Sequence, residues 1–341
     1  MSDSLAYDVT VGKLSTAWPG SEGNAEVVSL ETCLGVSGGW CRLELGPTAG
    51  AIPKVGDAIV VKLNGGDGLK TVFTGWVEAT RANPTTWLIR GEDGLSKLAK
   101  LDPEGVWEDA TADAVLKDLI SKAGLSAGTV CAGPKLRVFY AHRGVRGLHQ
   151  ARNLLDRMGA ELWVDPEGKV QVATPTTDSA DHTFTWGEDI VDFAIEAFEP
   201  AIRGLEVFGE GAAEAQGASK GHWLPADTSG LVGRSKLDKS GKVASGSAGQ
   251  PGLRAIDGAL STASDCGKVA EAFMKRVAAR PLAGELTVLG RSSVKPGDKV
   301  KVDSLPSDHP TAGVLGKAVL WVREVRHSLS AEAGYVTRVG V

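Results

Sequence analysis

The sequence has few cysteines and no long apolar run, and each scarcity excludes a class of protein. The four cysteines, Cys33, Cys41, Cys131 and Cys266, form no CxxC pair, which fits neither a zinc site nor a dense disulfide framework. The longest apolar stretches, such as 58–61, fall far short of the ~20 residues that span a bilayer. The N-terminus lacks a basic segment followed by an apolar core, so we expect neither a secretory signal nor insertion of the chain into a membrane.

Charge and catalytic motifs are also scarce. The 341 residues carry a net charge of −5, so we do not expect a nucleic-acid-binding protein, because that role needs a basic footprint. The six histidines show no HxxxH or HExxH spacing, which argues against a metal site. Residues 35–39 have the GxSGG pattern of a serine-protease nucleophile, but no histidine precedes His142, so a glycine-rich turn explains them better. We therefore expect no enzyme, no cofactor and no metal.

Glycine, in contrast, is abundant, and the 44 glycines indicate many turns. Short segments rich in β-branched and aromatic residues alternate with turn residues in the first part of the chain. This pattern predicts a small antiparallel β-barrel over residues 1–104. Its predicted strands are 25–34, 40–45, 57–63, 71–80 and 85–91.

The pattern then changes to that of an α+β domain, which we place at 105–185. Apolar periodicity and a terminal glycine predict helices over 111–124 and 145–159. The turn sequence Asp-Pro-Glu-Gly between two alternating runs predicts a β-hairpin over 161–172.

The remaining sequence predicts a second barrel that is split by an insertion. We assign 186–209 and 284–341 to this barrel and 210–283 to the insertion. Within the insertion, residues 210–254 are rich in Gly, Ser and Ala and have Trp223 as their one aromatic residue. This composition predicts a long mobile loop, or one that a partner orders, because it buries too little apolar area to offset its ordering entropy. Residues 264–280 then predict an amphipathic helix.

An internal repeat relates the two predicted barrels. A KxGD turn begins an alternating strand in each, a tryptophan-containing strand follows, and one more strand ends the copy. Each motif alone is common, but their shared order, at an offset of about 241 to 245 residues, favours a duplicated barrel. The matching turn residues and candidate core tryptophans are Gly56, Asp57 and Trp76 in the first copy, and Gly297, Asp298 and Trp321 in the second.

This order of motifs resembles the baseplate hub proteins of contractile phage tails and related injection systems. That family includes the phage Mu hub, the late-control D proteins and the N-terminal hub portion of VgrG spike proteins. The resemblance covers most of the chain apart from 210–283. The segments that carry it are 72–80, 87–98, 111–125, 148–172, 295–302 and 319–341.

The resemblance implies a structural protein rather than an enzyme. It implies a homotrimer whose two barrels per subunit form a pseudo-sixfold ring, adapting a hexameric tail tube to a trimeric spike. The implied partners are the tail tube protein, a separate spike protein, and baseplate wedge or sheath-initiator proteins. The protein would be made in the bacterial cytoplasm and assembled into a virion baseplate or an injection particle.

Two alternative functions remain open at this point. One is a tail-tip adhesin of a non-contractile phage, which would bind host glycans through exposed tryptophans; the chain has nine. The other is a hub with muralytic activity, although no stretch predicts a separate catalytic module.

Overall fold

The computed structural model describes residues 5–19, 26–46, 52–209, 231–246 and 252–341. The fold is mainly β, as the sequence predicted, with helices inserted between groups of strands. The helices are α1 (Leu95–Lys100), α2 (Ala112–Lys122), α3 (Gly147–Met158), α4 (Ala263–Ala278) and α5 (Ala312–Leu315). The strands are β1 (Ala6–Val11), β2 (Leu14–Trp18), β3 (Val27–Gly35), β4 (Trp40–Leu45), β5 (Ala58–Asn64), β6 (Lys70–Ala82), β7 (Trp87–Glu92), β8 (Gly105–Thr111), β9 (Ala127–Val130), β10 (Lys135–Ala141), β11 (Glu161–Val164), β12 (Val170–Ala173), β13 (His182–Thr185), β14 (Ile190–Ala197), β15 (Gly204–Phe208), β16 (Val232–Leu237), β17 (Val243–Ser245), β18 (Leu253–Ile256), β19 (Leu282–Leu289), β20 (Lys299–Asp303), β21 (Leu320–Trp321), β22 (Glu324–Ser330) and β23 (Gly334–Gly340).

One large antiparallel sheet joins the two ends of the chain. Its strand order is β14-β19-β23-β22-β3-β4-β7-β6-β5-β1-β2. The N-terminal and C-terminal strands meet at β22 and β3, which pair from Glu324 opposite Gly35 to Ser330 opposite Ser29. The two barrel-like halves of the protein are therefore parts of one hydrogen-bonded ladder.

Three hydrophobic cores divide the described residues into three units. We call β1–β7 the first barrel unit, because their inward residues form one core. We call β13, β14 and β19–β23 the second barrel unit, whose main core is separate. The α+β unit contains α1–α4 with β8–β12 and β15–β18, and its core lies between them.

The helices and hairpin of the α+β unit form where the sequence predicted them. The apolar face of α2 is buried, and Gly124, just beyond its end, has a φ of +69°. Helix α3 ends at Gly159, whose φ of +56° is the left-handed conformation of a helix C-cap. Strands β11 and β12 form the antiparallel hairpin.

The prediction that the strand near 201–209 belongs to the second barrel was wrong. Strand β15 pairs with β16 on one side and with β18 on the other, in a separate four-stranded sheet. Its inward residues Leu205 and Val207 are buried in the core of the α+β unit. The early strand of the split second barrel is β14, which pairs with β19. Alternation identified β15 as a strand but carried no information about its partner.

The prediction of a long mobile loop over 210–254 was wrong for the part that the structure describes. Residues 231–246 and 252–256 contribute three short strands to the sheet that packs on α4. Leu231 and Leu237 are buried there, so a few aliphatic side chains suffice without aromatic residues. Residues 210–230, with Trp223, and 247–251 lie outside the described residues.

Two of the domain boundaries in the structure differ from those predicted from the sequence. Helix α1, expected in the first barrel, buries Leu95 and Leu98 in the core of the α+β unit. Strand β13, expected in the α+β domain, runs parallel to β20 of the second barrel unit. Across the described ranges, the helices are all too short or too polar to cross a membrane.

Candidate functional site

The two Gly-Asp turns that the sequence singled out have the same backbone geometry. Gly56 and Gly297 both have a φ of +91°, a conformation that side chains with a Cβ rarely adopt. In each turn the aspartate N–H donates to the carbonyl of the lysine three residues earlier, at 3.0 Å and 3.2 Å. The aspartate Oδ2 in return accepts the N–H of that lysine, at 2.8 Å and 3.0 Å. Both turns are therefore closed by the same pair of hydrogen bonds.

Each turn is also tied to its tryptophan strand in the same way. The N–H of Val77 donates to the carbonyl of Asp57 at 2.8 Å, and the N–H of Gly56 donates to the carbonyl of Val77 at 2.9 Å. The same two bonds, both 2.8 Å, join Val322 to the second turn. In both copies the tryptophan lies opposite the first residue of the strand that follows the turn.

The strand order around the turns is repeated as well. In the first barrel unit the neighbours run β3-β4-β7-β6-β5, all antiparallel. In the second they run β14-β19-β23-β22, and β21 continues the line of β22 to pair with β20. Strands β21 and β22 together thus occupy the place of β6. The copies diverge at the next position, where β1 is antiparallel to β5 but β13 is parallel to β20.

The two tryptophans are not core residues of their own barrel units, which corrects that expectation. The side chain of Trp76 is half-buried, and the Lys97 ammonium lies 3.5 Å from its ring centroid. Trp321 is buried, but its ring packs edge-on against Trp163 of the α+β unit, with centroids 6.0 Å apart. Trp76 points away from the core because side chains alternate along a strand, and the inward positions on β6 are its neighbours Gly75 and Val77.

The surroundings of the two turns differ. A Cβ at Gly56 would meet open space, whereas a Cβ at Gly297 would collide with the ring of Trp163. In the second turn the carboxylate of Asp298 also lies 2.9 Å from Nε2 of His182, on β13. Local sequence does not predict these contacts, because Trp163 and His182 lie more than a hundred residues before the turn that they touch.

A buried ion cluster joins the α+β unit to the second barrel unit. The Glu161 side chain is 5% exposed and pairs with Arg280, after α4, and with Arg323, between β21 and β22. Burial, together with the neighbouring Arg323 charge, lowers the pKa of Arg280 to about 10. Burial also lowers the pKa of Arg323.

A second buried carboxylate closes the corner between the first barrel unit and α1. Asp93 is 1% exposed, and its two oxygens accept the N–H groups of Gly39 at 2.7 Å and Leu95 at 2.9 Å. Burial raises the pKa of Asp93 to about 7, against the opposing effect of these two bonds. Residues 35–39, the GxSGG stretch, include the tight turn between β3 and β4.

The buried histidine His327 belongs to a neutral hydrogen-bond network. Its Nδ1 lies 2.9 Å from Oη of Tyr335 and 3.2 Å from Oγ1 of Thr337. Burial lowers the pKa of His327 to about 3, so the ring is uncharged at neutral pH. In the part of the chain that the structure describes, His, Cys, Asp and Glu side chains form no group of three or more that could hold a metal ion.

Comparison with known proteins was informative only at the level of structure. No family model matches the sequence, and no curated protein matches it. Among solved structures, the prophage MuSo2 43 kDa tail protein from Shewanella oneidensis is 15% identical and has a TM-score of 0.65. That match covers 99% of this chain and 98% of the other.

Further structural matches come from phage tails and a secretion system. A tail protein from Neisseria meningitidis MC58 is 15% identical, with a TM-score of 0.65 over 98% of this chain and 95% of that chain. The E. coli c3393 protein, a type VI secretion component similar to the T4 tail proteins gp27 and gp5, is 11% identical. It has a TM-score of 0.54 over 97% of this chain and 75% of its own. This protein therefore has the fold of phage tail proteins and of a related component of the type VI secretion system.

Proposed function

We propose that the chain is a non-enzymatic baseplate hub of a phage tail or contractile injection system. In this proposal three copies assemble into a ring, and the two barrel units of each copy give six similar positions around the axis. One face of the ring would meet the hexameric tail tube, and the other a separate trimeric spike. Wedge or sheath-initiator proteins would pack around the ring. Assembly would follow synthesis in the bacterial cytoplasm.

The observation that carries the proposal is the repeated geometry of the two barrel units. Both units share the φ value of the turn glycine, the bonds that close the turn and the order of the five strands around it. Three copies of a chain with two equivalent units present six similar units, which match a sixfold partner. The same three copies are related by a threefold axis, which matches a threefold partner. The likeness to tail proteins over nearly the whole chain supports the same interpretation.

The test is the oligomeric state and shape of the protein. Light scattering of the concentrated chain should give a species near three times 35.4 kDa, and each tail particle that contains the chain should hold three copies of it. Negative-stain averages should show a three-lobed ring with six peripheral densities. A chain that stays monomeric in both preparations contradicts the proposal. Clearing of cell-wall material in a zymogram would favour a muralytic hub instead.

A further inference from the structure

In the large sheet, β14 and β6 each have an edge that carries no partner strand within the described residues. One is the outer edge of β14, the last strand of the sheet. The other is part of β6, because β5 pairs with β6 only as far as Trp76, whereas β7 pairs with it from Trp76 to Ala82. Val77 is bonded to Gly56 and Asp57 of the first turn, so the edge without a partner runs over residues 78–82. Unpaired N–H and C=O groups along such an edge are a template for another strand.

The composition of β14 favours pairing rather than protection. Its eight residues, Ile-Val-Asp-Phe-Ala-Ile-Glu-Ala, include neither lysine nor proline, the residues that most often block an edge. Val191 is 58% exposed, and Phe198, just after the strand, is 51% exposed. An edge of this length with exposed apolar side chains is an aggregation hazard unless another strand covers it.

The duplication identifies what covers it. Strand β14 occupies the place of β3, and the second half of β6 occupies the place of β22. Within the chain, β22 of the second barrel unit pairs with β3 of the first. We propose that the same junction forms between chains, where residues 78–82 of one copy pair antiparallel with the end of β14 in the next copy. This inference rests on the proposed hub function and names the surface that would close its ring.

The register of this junction follows from matched partners inside the chain. The shared turn bonds align Val77 with Val322. Four residues further along each strand, Arg81 is therefore the counterpart of Arg326. Both strands carry a register irregularity at the same place between these two positions, which supports the alignment.

A second irregularity aligns the facing strand. The β3–β4 and β14–β19 ladders each shift register once, immediately before Ser29 and immediately before Asp192. Ser29 and Asp192 are therefore equivalent. Four residues further along each strand, Glu196 is the counterpart of Cys33.

The intrachain junction then fixes the pairs between chains. Because Arg326 faces Cys33 across the β22–β3 ladder, Arg81 should face Glu196 of the next copy. Because Val325 faces Leu34, Thr80 should face Ala197. Arg81 and Glu196 are both exposed in the single chain. The register was derived from backbone pairing alone, and it brings opposite charges together, an arrangement that stabilises a strand pair.

Disulfide trapping tests the register directly. Facing Cα atoms of antiparallel strands lie about 4.5–5.5 Å apart, within the roughly 4.4–6.8 Å that a disulfide spans. Oxidising a chain with both Thr80→Cys and Ala197→Cys should give covalent trimers. Either single variant should give none, and a mixture of the two single variants should give dimers only. The combination of Ala17→Cys, on β2 at the far end of the sheet, with Ala197→Cys is the matched control and should not cross-link.

A charge exchange tests the same junction without new covalent bonds. Arg81→Glu and Glu196→Arg, each alone, should raise the concentration at which trimers dissociate by roughly tenfold, about 1.4 kcal/mol. Both changes together should restore the wild-type value. Lys70→Asp, on the half of β6 that already pairs with β5, is the control and should leave the value unchanged.

The outcomes separate this inference from the proposed function. Trimers in solution or in particles that form no disulfide between the cysteines introduced at positions 80 and 197, or that form one from position 17, overturn the register while leaving the hub function intact. A failure of the double charge exchange to rescue assembly does the same. A chain that stays monomeric at high concentration and in particles overturns both proposals.

Discussion

Replacing the turn glycines with alanine separates backbone strain from side-chain crowding, because Gly56 and Gly297 share the same φ of +91°. Forcing an L-residue into a left-handed conformation costs about 1–2 kcal/mol, and this cost should apply to both positions. At Gly56 the new Cβ meets open space, so Gly56→Ala should lower the free energy of unfolding by that amount alone. At Gly297 the Cβ collides with Trp163, and such overpacking adds about 1–3 kcal/mol.

Urea denaturation of the two variants measures this difference, with Gly56→Ala as the matched control for strain. A double-mutant cycle isolates the crowding, because Trp163→Ala removes the ring that the new Cβ meets. In the Trp163→Ala background, Gly297→Ala should cost no more than Gly56→Ala does in the wild type. Equal losses for the two glycine variants in the wild-type background would refute the reasoning, and so would an unchanged cost at Gly297 after Trp163 is removed.

Two further predictions concern the buried carboxylates. Because burial raises the pKa of Asp93 to about 7, the wild type should lose stability relative to Asp93→Asn as pH rises from about 4 through 7. Denaturation midpoints across this range measure the loss, which should approach at most about 1.4 kcal/mol per pH unit, and a flat difference would contradict it. Glu161→Gln leaves Arg280 and Arg323 without a counter-charge and should cost about 3–5 kcal/mol in the same assay. Glu78→Gln, which removes an exposed ion pair, should cost less than about 1 kcal/mol, and equal costs for the two variants would contradict the buried role of Glu161.

The local elements could be predicted from sequence because their signals are local. The buried face of α2 repeats with helical spacing, and the glycines after α2 and α3 adopt the left-handed conformations that helix ends favour. The Gly-Asp turns were predictable for the same reason, since glycine supplies the positive φ and aspartate bonds to its own turn. These features depend on residues a few positions apart.

Partner choice could not be predicted, because it depends on residues far away in the chain. Strand β15 shows the alternation of a barrel strand, yet it pairs with β16 and β18. The junction of β22 with β3 joins segments nearly three hundred residues apart, and no local pattern marks it. The exposure of Trp76 was missed because its flanking residue Gly75 takes the inward position without an apolar side chain.

The different surroundings of the two turns have a consequence for symmetry. In the proposed ring, the turns at Gly56 stand open, whereas the turns at Gly297 are covered by Trp163. Open and covered turns would alternate around the axis, so a ligand of the open turns meets three identical contacts, although the backbone repeats six times. A ring whose backbone has approximate sixfold symmetry can in this way present a surface with threefold symmetry. The difference between the sixfold tube and the threefold spike would then be accommodated by the packing of Trp163 against every second turn, while the backbone of all six turns stays the same.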